Sequence, residues 1–539
     1  MNLFFQSPVA NPQSPPSEPP HPVLKNVLPA VLSGVLLTAA FPPGHFSMVA
    51  WIALVPLLMS IREASPKVAF RLGFFSGLTH YLTLIYWIVV VLGRYGNLNI
   101  FVSLLSLFLL SAYLSLYLGL FSTLAAAVRG SRFTLLLLPA FWVALEYVRA
   151  HLISGFPWCL MGYTQYKTLP LIQVADVVGV YGVSFFIVLV NALIFRAMAY
   201  HTQPGPWLKW EMILVFMVTG LILAYGFHSL SQQNTHENTA PHLRTAVIQA
   251  NIDQSLKWDP AYQTETLRTY ERLTRGASVH HPELIVWPET ALPFFFQDNL
   301  QFSPGIFALS QETGALLLFG SPAYERVNGV TRYYNRAYLI TPGSGEVETY
   351  DKVHLVPFGE YVPCREFLPF LNQLVQAAGD FVPGETADPL VANDLSLGVL
   401  ICFEAIFPEL ARRLVNQGAN VLVNLTNDAW FGMSSAPYQH LSMAVFRSVE
   451  NNRPMIRAAN TGFSAFIGPR GKIRSQSSLF SQAVLHHSVA LRNHGRTYYS
   501  RLGDLFALGL VFLSAAKILP IIWTAWKKRK PAAVLNRRN

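Results

Sequence analysis

The chain has 539 residues, of which 52% are hydrophobic and only 13% charged, about half the charged share of an average soluble protein. The first 230 and last 40 residues hold the long apolar runs, which excludes a wholly water-soluble chain, while residues 240–495 have the makeup of an ordinary globular domain. The formal charge of +10 gathers at the ends of apolar stretches and in the tail KKRKPAAVLNRR, not on one face among aromatics, so it points to membrane orientation and not to nucleic acid.

Residues 1–23 are rich in proline and carry no Lys or Arg, which predicts a disordered tail and not a basic signal peptide. Crossing about 30 Å of hydrocarbon takes roughly 20 apolar residues as a helix. Eight segments qualify: 24–42, 45–61, 68–92, 98–128, 133–152, 179–200, 208–229 and 503–526. Lys and Arg mark one side of them: Arg62, Lys67 and Arg71, then Arg129 and Arg132, then Arg196 and Lys209, then the 527–539 tail. The opposite loops hold little beyond Arg94 and Lys167. By this bias both termini are cytoplasmic, residues 24–229 form a seven-helix membrane domain, and residues 230–502 face outward ahead of an eighth helix. Cys159, Cys364 and Cys402 are an odd set, with a Cys364–Cys402 disulfide as the alternative to a free Cys402.

Within the outward domain, LRTAVIQANID opens as a strand, a helix follows over about 261–276, and ELIVWPETALP is a second strand ending at Glu289. GALLLFGSPAYE is a third strand. YYNRAYLITPGSGEVETYDK predicts two strands around PGSG, the return strand ending at Lys352. LSLGVLICFE is a strand ending at Cys402 before a helix, NVLVNLTNDAWFG ends at Asn427 and Asp428, and a helix covers about 437–452. RPMIRAANTGFSAFIGPRGKI predicts a final strand pair around GPRG. Alternating strands and helices indicate an α/β domain, whose strand tips are where ligand sites assemble.

A Glu, a Lys and a Cys on three strand ends suit nucleophilic acyl chemistry. An ordinary thiol is only slightly ionised at neutral pH, so Cys402 needs a base, which a poorly hydrated Glu289 can be. Lys352 and the backbone N–H groups after Cys402 would stabilise a tetrahedral oxyanion. Singly, each residue has a plainer explanation: a solvated turn Glu, a surface Lys, a buried packing Cys. No metal-ligand or nucleotide-loop spacing occurs, so no metal and no cofactor is expected.

VWPETALP, YDKVHLVPFGEYVP, GVLICFE and NLTNDAWFG, in that order, resemble the carbon–nitrogen hydrolase (nitrilase) superfamily. With the eight spans and QSLKWDP, the whole chain resembles the bacterial apolipoprotein N-acyltransferase family. The resemblance implies a four-layer αββα sandwich on a helical membrane domain. It also implies Glu289 as base, Lys352 as stabiliser and Cys402 as nucleophile, with Glu360, Glu404, Trp258 and Trp430 in support. Phe403 departs from the family, which often has Tyr after the nucleophile.

The activity implied is transfer of an acyl chain from a membrane phospholipid to the N-terminal amine of a diacylated apolipoprotein, by a monomer in the inner membrane. The membrane domain fits this, because exposing a sixteen-carbon chain to water would cost about 12 kcal/mol. ISGFPWCLMGY and ALPFFFQ could line the acyl path, or Trp158 and Phe294 to Phe296 could be interfacial anchors. The competing functions are a membrane-anchored amidase using water, and a transporter or receptor whose outward domain only binds ligand.

Overall fold

The computed structural model describes residues 22–44, 46–199, 207–363, 380–493 and 495–529. The expected tail up to residue 21, Cys364, and the basic tail from Lys530 onward lie outside these residues.

All eight apolar segments are helical, but they are not eight alike. Ile100–Ala127, Ala175–Ala199 and Leu208–Gln232 are long and apolar enough to cross a membrane, the second with a kink at Gly179. Pro66–Leu84 and Trp87–Tyr95 meet at a 46° bend and together make a fourth candidate. Asn26–Ala39, Ser47–Ser60 and Leu505–Pro520 are shorter, and Thr134–His151 carries Glu146, Arg149 and His151. Hydropathy counts apolar residues and does not register bends or breaks. Small residues bring the helices together: Gly73 lies against Leu118 and Ser122, and a Cβ at Gly77 would sit 2.9 Å from the Ser115 Cα. Such close backbone approach is how helices gain packing energy in lipid.

Among the described residues, twelve strands form two six-stranded sheets. The first contains β1 (His242–Gln249), β2 (Leu284–Val286), β3 (Leu316–Val327), β4 (Val330–Ile340), β5 (Val347–Asp351) and β12 (Ala483–Ala490), in the order β12-β1-β2-β3-β4-β5. The second contains β6 (Leu390–Ala392), β7 (Leu395–Ile401), β8 (Val421–Thr426), β9 (Met455–Ala459), β10 (Ala465–Ile467) and β11 (Ile473–Gln476), in the order β11-β10-β9-β8-β7-β6. Each sheet has a parallel centre, β1-β2-β3 and β7-β8-β9, with antiparallel flanks. β8 and β9 are buried along their whole length, as apolar strands covered on both faces must be. Asn328 and Gly329, both at positive φ, make the two-residue turn between β3 and β4 that such twisted hairpins favour.

The sheets face each other across a core that includes Val247, Val286 and Leu318 from the first and Val399, Val423 and Ile456 from the second. Helices Gln263–Ser278 and Ser303–Thr313 cover the first sheet's outer face through Leu267, Tyr270, Ile306 and Leu309. The second sheet's outer face belongs to a different core. Leu400, Leu422 and Met455 pack with helices Pro408–Asn416 and Ala436–Asn451 into one cluster that continues into the membrane helices.

Some elements differ from the sequence reading. Three strands, not two, are drawn from RPMIRAANTGFSAFIGPRGKI and the residues just after it, and GPRG joins β10 to β11. β12 crosses back to pair antiparallel with β1, and helix Ser303–Thr313 was not expected. The helix after Cys402 starts only at Pro408, behind a 3-10 turn over Cys402–Ile406.

Candidate active site

The loop after β2 carries Glu289, and the end of the β4–β5 hairpin carries Lys352. Lys352 Nζ lies 3.6 Å from Glu289 Oε1 and 2.9 Å from Glu360 Oε1. Lys352 is only 1% exposed. Burial disfavours its charge, but Glu360 and Glu289 outweigh burial and hold the ammonium ion above its ordinary range. Asn335, in the middle of β4, donates one amide group to both carboxylates, at 2.8 Å to Glu289 Oε1 and 2.9 Å to Glu360 Oε1. The other oxygen of Glu289 accepts from the Asn427 backbone N–H at 2.8 Å, and that of Glu360 from Val356 N–H at 2.8 Å. Each carboxylate is therefore fixed at both oxygens.

Cys402 follows β7 directly, in the left-handed region at φ 51°. A non-glycine residue pays about 1–2 kcal/mol there. Cys402 opens the 3-10 turn over Cys402–Ile406, so the cysteine stands at the strand tip, partly buried against the core between the sheets. Cys402 is a free cysteine and partly exposed. Burial and then the charge of Glu289 push its pKa up, while Lys352 opposes them. Glu289 and Lys352 thus act on the thiol with opposite sign.

Glu404, two residues on, touches neither Glu289 nor Lys352. It is wholly buried and accepts from Ile401 N–H at 2.7 Å, Val353 N–H at 2.7 Å, His354 N–H at 3.1 Å and Tyr350 Oη–H at 3.0 Å. It ties the backbone before the cysteine to the backbone after the lysine. Burial pushes its carboxyl up to about 7, against the pull of these N–H groups and Lys352. Phe403 packs on Phe407 and His354. Trp430 meets Tyr95 at the end of the bent helix pair, and Trp258 is 43% exposed.

The two proposed acyl-path segments are placed differently. Phe294 and Phe296 are buried in the outer core of the first sheet, packed on Phe302 and Phe319, and are neither path nor interfacial anchor. Phe295, between them, is only partly buried and packs against Tyr324 and Tyr333. Trp158 is 1% exposed and sits at the junction, with its ring 4.8 Å from Trp87, 5.8 Å from His440 and 5.9 Å from Phe431.

Sequence reasoning did not find Asn335, Lys257 or His440. Lys257 is buried beside Trp258 and donates to Thr290 Oγ1 at 2.8 Å and to the Glu289 carbonyl at 3.4 Å. Burial lowers its pKa to about 8 against the attraction of Glu289. QSLKWDP offered the lysine as readily as the tryptophan, and a buried lysine beside a carboxylate-bearing loop was the missing criterion.

The halves of this architecture match separate families. Residues 33–193 match the apolipoprotein N-acyltransferase N-terminal domain, and residues 244–499 match carbon-nitrogen hydrolase. The chain is 47% identical over 491 residues to an apolipoprotein N-acyltransferase of Geobacter metallireducens, covering 90% of this chain and 93% of that one. It is 33% identical over 494 residues to that of Pasteurella multocida, with 90% and 93% covered. It is 32% identical over 531 residues to that of Chlorobaculum tepidum, with 93% and 96% covered. A carbon–nitrogen hydrolase fold joined to this membrane domain, alike along nearly the whole length, places the chain in the apolipoprotein N-acyltransferase family.

Proposed function

We propose that this acyltransferase moves an acyl chain from a membrane glycerophospholipid to the α-amine of the diacylglyceryl-modified N-terminal cysteine of an apolipoprotein, through a thioester on Cys402. The observation that carries the proposal is the left-handed Cys402 at a strand tip, acted on by Glu289 and Lys352, on the sheet whose outer core runs into the membrane helices.

In the first half-reaction Glu289 takes the Cys402 proton as Sγ attacks the ester carbon. Lys352 and the N–H groups of the turn after Cys402 stabilise the oxyanion. Collapse breaks the C–O bond, and the leaving alkoxide takes the proton from Glu289 and departs as lysophospholipid. In the second half, the amine attacks the thioester, loses a proton to Glu289, and the C–S bond breaks. The thiolate recovers that proton, so no proton is gained or lost over the cycle. Glu360 and Asn335 keep Lys352 and Glu289 in register, and Glu404 keeps the cysteine and lysine loops together. Trp258, Trp430 and Phe403 line the approach.

In this reading the eight helical segments set both termini in the cytoplasm and the 230–502 domain outside the inner membrane. The helices then let the acyl chain reach Sγ without crossing water. The test uses the purified protein in phospholipid nanodiscs with a synthetic diacylglyceryl-cysteine peptide. An N-acylated peptide and one lysophospholipid per transfer are expected. Free fatty acid with an unmodified peptide would favour the water-using amidase.

A further inference from the structure

The nucleophile's backbone is held from behind by groups the reaction does not use. The Cys402 carbonyl accepts from His440 Nε2 at 3.1 Å and from Asn424 Nδ2 at 3.4 Å. A carbonyl can only accept, so His440 Nε2 carries a hydrogen. Its other nitrogen, Nδ1, lies 3.1 Å from Arg457 Nη2 and 3.1 Å from Asp428 Oδ1. Burial and then the Arg457 charge lower the His440 pKa while Asp428 opposes them, and Nδ1 is held between the Arg457 guanidinium and the Asp428 carboxylate. Arg457 also bonds Asn424 Oδ1, which turns that amide's Nδ2 toward Leu400 O and Cys402 O. One buried arginine thus orients both donors that fix the left-handed peptide of Cys402.

The preceding residue reaches the other way. Gln439 is 1% exposed, and its Oε1 accepts from Trp87 Nε1 at 3.2 Å and Trp158 Nε1 at 2.8 Å. Its Nε2 donates to Leu84 O and Ser435 Oγ, both at 3.1 Å. Indole N–H groups only donate, so the orientation of this amide is fixed by chemistry and all four of its hydrogen-bonding positions are used. Leu84 ends one arm of the 46° bend and Trp87 begins the other, so Gln439 caps the break itself. Tyr86, between them, accepts from Ser435 N–H at 3.2 Å.

We infer that Gln439 and His440 are positioning residues that make the geometry of the Cys402 nucleophile depend on the bend between Leu84 and Trp87. This deepens the proposed function and rests on it only for the acyl step. Neighbouring residues on one helix point about 100° apart, so one turn of Ala436–Asn451 faces both the membrane pair and the nucleophile. The bend sets the place of Gln439, the helix carries it to His440, and His440 sets the direction of the Cys402 carbonyl.

The test compares full-length wild type with His440→Met, His440→Gln and Trp87→Phe in nanodiscs. Met and Gln are of similar size, but only Gln can donate to the carbonyl. Three quantities are read: the rate of Cys402 alkylation by iodoacetamide, located by peptide mass; the rate of acyl-enzyme formation; and the KM for phospholipid. His440→Met is expected to slow alkylation and acylation about tenfold or more, with KM within about twofold, and His440→Gln to restore both to within about threefold of wild type. Trp87→Phe, which keeps a ring and removes one donor to Gln439, is expected to slow both about threefold at unchanged KM. Equal rates in the Met and Gln variants would overturn the role of His440. A raised KM with wild-type alkylation in Trp87→Phe would overturn the coupling and leave Gln439 a builder of the lipid site. Alkylation that follows the expected pattern while wild type forms no acyl-enzyme would refute the proposed function and leave the inference standing.

Discussion

The two sheets supply different parts of the site and are anchored differently. The first brings Glu289, Asn335 and Lys352, with Glu360 just beyond, and its outer face is covered by two helices of the same domain. The second brings Cys402, and its outer face is one continuous core with the membrane helices. The half with Glu289 and Lys352 is therefore covered within its own domain, while the outer face of the half with Cys402 is covered jointly with the membrane helices. Dependence on the membrane enters on the side of the cysteine, and the two halves meet through a few ties. Glu289 accepts from Asn427 N–H, and Glu404 accepts from Val353, His354 and Tyr350.

Removing either half's central group gives the largest effects. Cys402→Ala should abolish the acyl-enzyme and lower transfer by about 10⁴-fold or more, measured as N-acylated peptide. Lys352→Met should lower transfer by about 10²–10³-fold, from loss of the oxyanion partner. These groups also test whether the first sheet controls the second sheet's thiol. Glu289 raises the Cys402 pKa and Lys352 lowers it. Glu289→Gln should therefore move the thiol titration to lower pH and Lys352→Met to higher pH, read from the pH dependence of Cys402 alkylation. Shifts of the same sign in both variants would separate the halves. Cutting a tie is next: Glu404→Gln sets an amide N–H₂ against backbone N–H groups, and should destabilise the folded protein by about 2–3 kcal/mol, seen as a lower thermal midpoint. Tyr350→Phe loses only the hydroxyl contact to Glu404 and should cost about 1–2 kcal/mol.

The positions of Glu289 and Cys402 were legible because each follows an apolar run that stops abruptly, and that of Lys352 because it ends the return strand of a hairpin marked by PGSG; strand ends are where side chains leave a sheet. Asn335 was not, because it lies inside β4 and gains its meaning only from strands that pair with it from elsewhere in the chain. His440 and Arg457 were hidden for the same reason, in mid-helix and mid-strand. AVLHHSVA gave no clear alternation, and its pairing with β1 joins residues more than two hundred apart, so β12 was missed. The helical segments were legible from hydropathy, but the bend after Leu84 was not, since its cap comes from Gln439 in the other domain. FFF read as a surface feature because composition alone cannot show that two of its three rings turn inward.

The central claim is that Cys402 carries the acyl group, and intact-protein mass spectrometry after incubation with phospholipid and no acceptor tests it most directly. The account predicts an acyl-sized mass gain that hydroxylamine removes, that is missing in Cys402→Ser, and that a diacylglyceryl-cysteine peptide discharges. Transfer to the peptide by the Cys402→Ser variant at the wild-type rate, or an acyl adduct on any other residue, would contradict it.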